Sequence, residues 1–207
     1  MPAFLARSLL ALCVVLPATL LHAALESPTA EPDSAPLAGQ ILIASPALRD
    51  PNFDHTVVLM VRHNRDGAFG IVINRQLGER SFAKILEAIG EKDDTVTGTM
   101  RIFSGGPVQT ELGFVIHSAD YHRPETVDID GHLALTASRD VLRDIIAKRG
   151  PEKSLVAFGY AGWAAGQLEN ELALRGWYTA PEDPKLIFDE DREKVWDAAM
   201  AHRIQDL

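Results

Sequence analysis

The sequence predicts an α+β domain, a compact mixed sheet, largely antiparallel, flanked by helices. Three observations predict it. Strand-like runs come in pairs joined by tight-turn signals, as at Asp66-Gly67 and Asp130-Gly131. Three or four helical stretches are scattered among those pairs, which is not the strict strand–helix alternation of a parallel sheet. The chain has 207 residues, 46% hydrophobic and 24% charged, enough for one domain with a real core.

The first 24 residues read as a secretory leader. Arg7 supplies the positive end, residues 8–21 are an apolar run too short for a comfortable membrane span, and Ala23 and Ala24 suit cleavage. Export to the periplasm is the expectation; an uncleaved anchor and a mis-assigned start codon are the alternatives. Residues 25–38 are rich in Pro, Ser, Ala and acids without periodicity, and read as a disordered linker. Residues 39–207 are then one domain.

Within it, residues 40–44 form an apolar strand ended by Ser45-Pro46. A long loop follows over 47–55, turning at Asp50-Pro51. Residues 56–62 and 68–74 form a hairpin of two strongly apolar strands, so both of its faces should be covered. Residues 82–89 suit a short helix capped by Ser81, and 90–98 a polar loop. Short strands follow at 101–104, stopped by Gly105-Gly106-Pro107, and at 112–117. Residues 127–129 and 132–136 read as a hairpin. Ser138 is a good N-cap, with Asp140 in the first turn, for a helix burying Val141, Leu142, Ile145 and Ile146 and ending at Gly150-Pro151. Residues 154–158 are a buried strand that breaks into a glycine and aromatic loop, Gly159-Tyr160-Ala161-Gly162-Trp163, and a helix over about 165–175. Residues 177–180 and 186–188 are extended around a turn at 181–184. A final amphipathic helix covers 191–202, with Val195, Trp196 and Met200 inward.

The run GYAGWAAGQLENE, residues 159–171, resembles the signature of the YqgE/AlgH family of bacterial proteins. Further blocks agree in order: Ile43 to Leu48, Asp50 to Phe53, His63-Asn64, Gly67 to Gly70, Gly105 to Pro107 and Ser138 to Leu142. The resemblance spans almost everything after the leader. It implies a mixed sheet with a bifurcated topology. Members usually look leaderless and cytosolic, so the leader departs from the family. Some carry the label of transcriptional regulator.

The candidate site is the glycine loop of 159–163. Strand, loop and helix in that order gather backbone N–H groups near Gly159 and Gly162, with Tyr160 and Trp163 as walls for a small polar or anionic ligand. The opposing reading is a tight turn with both rings packed on the sheet. Gln167 and Glu171 share a helix face at i,i+4, with Glu171 expected to pair with Arg175 in solvent, while Glu169 is a carboxylate near the helix start. Gly105-Gly106 is either an anion nest or a strand end. Arg49 and Asp50 are placed to line the same pocket. Ser138 and Asp140 read as an N-cap and a dipole partner, since no nucleophile elbow surrounds the serine.

Composition excludes some chemistries. Cys13 is the sole cysteine and sits in the leader, so the domain should hold no disulfide and no thiolate. No zinc-ligand spacing and no nucleotide fingerprint is present, and no cofactor is expected. A net charge of −9, with no basic second helix of a helix-turn-helix, argues against direct nucleic-acid binding. The leading expectation is a non-catalytic regulatory domain that binds a small polar or anionic ligand or a protein. A hydrolase-like enzyme using Glu169 with His117 or Asp140 is the alternative, and a regulator acting indirectly on transcription a further one.

Overall fold

Three antiparallel strands, β1 (Ile41–Ala44), β2 (Val57–Asn64) and β3 (Gly67–Val72), are rich in apolar residues. Alternate residues of a strand face opposite ways, yet here both sets are apolar. Ile41, Ile43, Val57, Leu59 and Ile71 belong to one core; Leu42, Ala44, Val58, Met60 and Val72 belong to a second. The sheet is therefore covered on both faces, as the unbroken apolar runs predict. One cover is a single helical turn, Lys185–Asp189, with helix α4 (Val195–Ala201). The other is helix α3 (Gln167–Ala173) with the 45–55 loop, which contribute Leu168, Leu48 and Phe53. The computed structural model describes residues 37–93, 95–189 and 191–204, all within the unit Asp33–Leu207. The expected leader and nearly all of the expected linker lie outside the described residues.

Strand β9 (Ser154–Ala164) is the axis of the molecule. Strand β6 (Val108–Ser118) runs antiparallel along one edge. The other edge is divided. Strand β5 (Thr99–Ser104) lies parallel to Val156, Ala157 and Phe158, whereas β3 lies antiparallel to the stretch from Ala161 to Ala164. Strand β4 (Gln76–Ser81) extends the β5 side. Strands β8 (Leu133–Thr136) and β7 (Thr126–Asp128) extend the β6 side, and β10 (Trp177–Ala180) closes on β1. Helix α1 (Phe82–Ala88), N-capped by Ser81, and helix α2 (Arg139–Ile146), N-capped by Ser138, complete an α+β fold with a forked sheet.

Three glycines build the fork. The Gly105 N–H donates to the Phe158 carbonyl at 2.7 Å, and the Gly105 carbonyl accepts from Val72 N–H at 2.8 Å. One residue thus joins β9 to β3 where β5 leaves. A Cβ at Gly105 would stand 2.3 Å from the Gly159 oxygen, and one at Gly106 2.2 Å from the Tyr160 carbonyl carbon. Gly159 has φ +76° and faces the Gly106 oxygen just as closely. Only residues without a Cβ permit this approach.

The expected break of β9 at Gly159 is corrected by this geometry. The positive φ turns the backbone without ending the strand: Phe158 pairs with Gly113 and Tyr160 with Val108, the extra residues of this irregularity lie on β6, and residues 159–163 are strand rather than loop. Residues 186–188, expected extended, are helical, because a turn buries Leu186, Ile187 and Phe188 together. Strand β4 was not expected, since its residues are mostly exposed and carry no alternation. The last helix starts at Val195 rather than 191.

Candidate functional site

The sequence-marked residues gather in two places. The first lies where the second half of β9 meets α3, β10 and the 45–55 loop. Trp163 and Trp177 are buried edge to face, with ring centroids 5.8 Å apart, and Phe53 packs on both at 6.3 and 5.3 Å. Both indole N–H groups point at one carboxylate. Glu171 Oε2 accepts from Trp163 Nε1 at 2.9 Å and from Trp177 Nε1 at 2.7 Å, and Oε1 accepts from Gln167 Nε2 at 2.8 Å. The expected Glu171–Arg175 surface pair is therefore corrected. Arg175 has φ +57°, so the chain has left the helix before reaching the i+4 position. Gln167 also accepts from Ala164 N–H at 3.1 Å and so closes the turn between β9 and α3.

Midway between Gln167 and Glu171 on α3, Glu169 meets His63 of β2. Their Nε2 to Oε1 distance is 2.8 Å. His63 Nδ1 accepts from Leu37 N–H at 3.3 Å, so the proton sits on Nε2 and is donated to the carboxylate. His117 is elsewhere and wholly buried: one ring nitrogen bonds the Ser118 carbonyl and the other the Thr136 hydroxyl, both at 2.9 Å. Burial holds its pKa below the usual imidazole value. Asp140 pairs with Arg123 and Arg143. The set of Glu169 with His117 or Asp140 does not assemble, because each carboxylate and the imidazole is engaged by other partners.

The remaining candidates are dispersed. Tyr160 packs on Phe69 at 4.8 Å and on Phe114 at 6.2 Å, in the opposite core from Trp163. Gly162 is exposed and pairs with Phe69. Gly105, Gly106 and Gly159 form the fork, and the Gly105 N–H is engaged within it. Arg49 is exposed in the 45–55 loop, and Asp50 Oδ1 accepts from Asn52 N–H at 2.8 Å within that loop. Ser138 Oγ accepts from Asp140 N–H at 3.2 Å.

Ser138 also borders the second place, an open groove of about 820 Å³ on the β5, β9 and β6 face. Strand register builds its floor. Ile102, Val156 and Val115 stand in one row and Phe158 and Gly113 in the next. Strand β4 and α1 form one wall, α2 another. Leu77 of β4 is 62% exposed and Leu112 of β6 43% exposed, both on the groove. Sequence reasoning missed these residues. Their only local signal is an isolated leucine within each polar run, GlnLeuGlyGluArg and ThrGluLeuGly.

A forked α+β sheet, a carboxylate held by two indoles and a part-buried His63–Glu169 contact define a protein class recognisable by fold rather than by a reaction. The chain belongs to the AlgH-like family, whose profile matches residues 41–207. It is 48% identical over 164 residues to a UPF0301 protein of Pseudomonas entomophila, covering 78% of this chain and 86% of that one. It is 43% identical over 164 residues to a UPF0301 protein of Rhodospirillum rubrum, covering 79% and 85%. The solution structure of the AlgH protein from Pseudomonas aeruginosa is similar at TM-score 0.71 and 44% identity, over 85% of this chain and 90% of that one. A crystal structure from Corynebacterium diphtheriae, at TM-score 0.63 and 20% identity over 81% and 87%, shares the fold. Among the described residues no helix is long and apolar enough to cross a membrane.

Proposed function

We propose that this protein is a non-catalytic binding domain and that the groove beside α1 and α2 is its site. One observation carries the reading. A groove of about 820 Å³ with an apolar floor lies open between two helices, within the ~300–1,000 Å³ of ordinary small-molecule sites. Large side chains such as Leu77 and Leu112 stand in solvent there, which costs free energy unless something covers them. The engagement of His117, Asp140 and Glu169 by structural partners supports binding over catalysis. The acidic balance, −9 overall, supports a partner other than nucleic acid. The leader adds an exported location to the proposal, checked by finding a shortened species in the periplasmic fraction.

The test is titration with N-phenyl-1-naphthylamine, a neutral probe that fluoresces on leaving water. Saturable enhancement at one probe per chain, lost in Leu112→Glu, is expected. An unchanged probe spectrum overturns the groove as a site.

A further inference from the structure

We infer that the groove takes a free long-chain carboxylate, with its tail on the floor and its head at the rim; this rests on the groove being the binding site. The floor supplies the tail's environment. Ile102, Val115, Val156 and Phe158 present carbon only, and Leu77 and Leu112 extend that surface outward.

The rim supplies the charge. Arg80 and Lys84 stand on the β4–α1 wall and Arg139 at the start of α2. None of the three forms an ion pair among the described residues. Arg80 donates only to the Glu79 carbonyl at 3.0 Å. Ser138, beside Arg139, accepts from Asp140 N–H and keeps its own hydroxyl proton to donate. Glu87 and Glu111 also border the groove, likewise without ion pairs, and leave the five charges at a net of one positive. On a chain of net charge −9, a positive rim over an apolar floor is a local reversal, and it complements an amphiphile with one negative head. The neighbouring acid Asp140 is already paired with Arg123 and Arg143.

One end of the groove favours a ligand that terminates over a helix that runs through. Arg143 of α2 pairs with Glu91 just beyond α1, tying together the two walls that contribute Ile89 and Leu142 to the groove. A methyl-ended chain fits a site strapped at one end.

The experiment displaces bound N-phenyl-1-naphthylamine from the full chain with tetradecanoate, with tetradecanol, and with an acidic amphipathic helical peptide. Tetradecanoate should compete about tenfold more tightly than the alcohol, the difference that about 1.4 kcal/mol of charge recognition gives. The combined variant Arg80→Gln, Lys84→Gln and Arg139→Gln should erase that ratio while still binding the neutral probe, which also shows that the variant is folded. Equal competition by acid and alcohol in the natural chain overturns the carboxylate and leaves the groove standing. Displacement by the peptide alone overturns it in favour of a protein partner. Failure of the neutral probe to bind removes the groove reading itself, and the inference with it.

Discussion

Glu171 shows how far a single residue's role departs from its helical spacing. Its i,i+4 neighbours were readable, and the Gln167 contact is among them. The two indoles were not, because Trp177 reaches the carboxylate from another strand and Trp163 from across a turn. Hydrogen bonds to a charged group contribute about 1.5–3 kcal/mol, and an abandoned buried donor costs about 1–3 kcal/mol. Glu171→Ala strands two indole N–H groups at once. It is expected to lower unfolding free energy by about 2–4 kcal/mol, read by urea denaturation. Tryptophan emission should shift in the native state as well. Glu171→Gln, which keeps one carbonyl oxygen, should fall between the two.

Among the elements, β9 was half legible. Its apolar start was plain from residues 154–158. Its continuation was hidden by Gly159 and Gly162, which locally signal a turn. Whether such a glycine ends a strand or leaves it running depends on the strand alongside, and here Gly105 and Gly106 press against it from a stretch some fifty positions earlier. The hairpin of β2 and β3 was legible apart from its irregular register between Met60 and Arg62, because apolar runs and an Asp-Gly turn are local facts. Strand β4 was invisible because its pairing with β5 is made by backbone while its side chains face water. The fork predicts an unequal response to added methyl groups. Gly106→Ala meets the Tyr160 backbone at 2.2 Å with φ +147°, and is expected to cost about 3 kcal/mol or more. Gly90→Ala, with positive φ but nothing within 4 Å, should cost only about 1 kcal/mol. Thermal melting of the two variants side by side makes the comparison.

For the whole molecule, stability follows pH through groups that the fold perturbs. Burial holds the His117 pKa below the usual imidazole value. The unfolded chain therefore takes up a proton below about pH 6.5 that the native state resists. Stability from this group is complete above that value and falls as pH drops through it, by at most about 1.4 kcal/mol per pH unit. Asp120, held low mainly by the Ser118 hydroxyl, and Asp144, held low mainly by Tyr121 and then Arg123, add a loss that comes only at more acidic pH. Glu182 acts in the other direction, since burial raises its pKa and its ionisation disfavours the fold as pH rises. The urea midpoint should fall between pH 7.5 and 5.5, and His117→Gln should flatten that slope. The two-faced core was readable at this scale from composition and apolar runs. The groove was not, since its walls come from β4, α1, β6 and α2, which meet only after the sheet has forked.

The pairing of β1 with β10 has a kinetic consequence. Among the described residues the first strand is hydrogen-bonded to the last, Ile41 opposite Ala180, and Ile204 returns to the same place through its N–H on the Thr179 carbonyl at 2.7 Å. Such distant contacts make loop closure slow and late. While the polypeptide is being synthesised, β1 has one edge satisfied by β2 and the other bare until β10 has emerged. A ribosome-bound or prematurely ended chain thus presents an open strand edge to chaperones, proteases and other nascent copies, and pairing with β10 withdraws it.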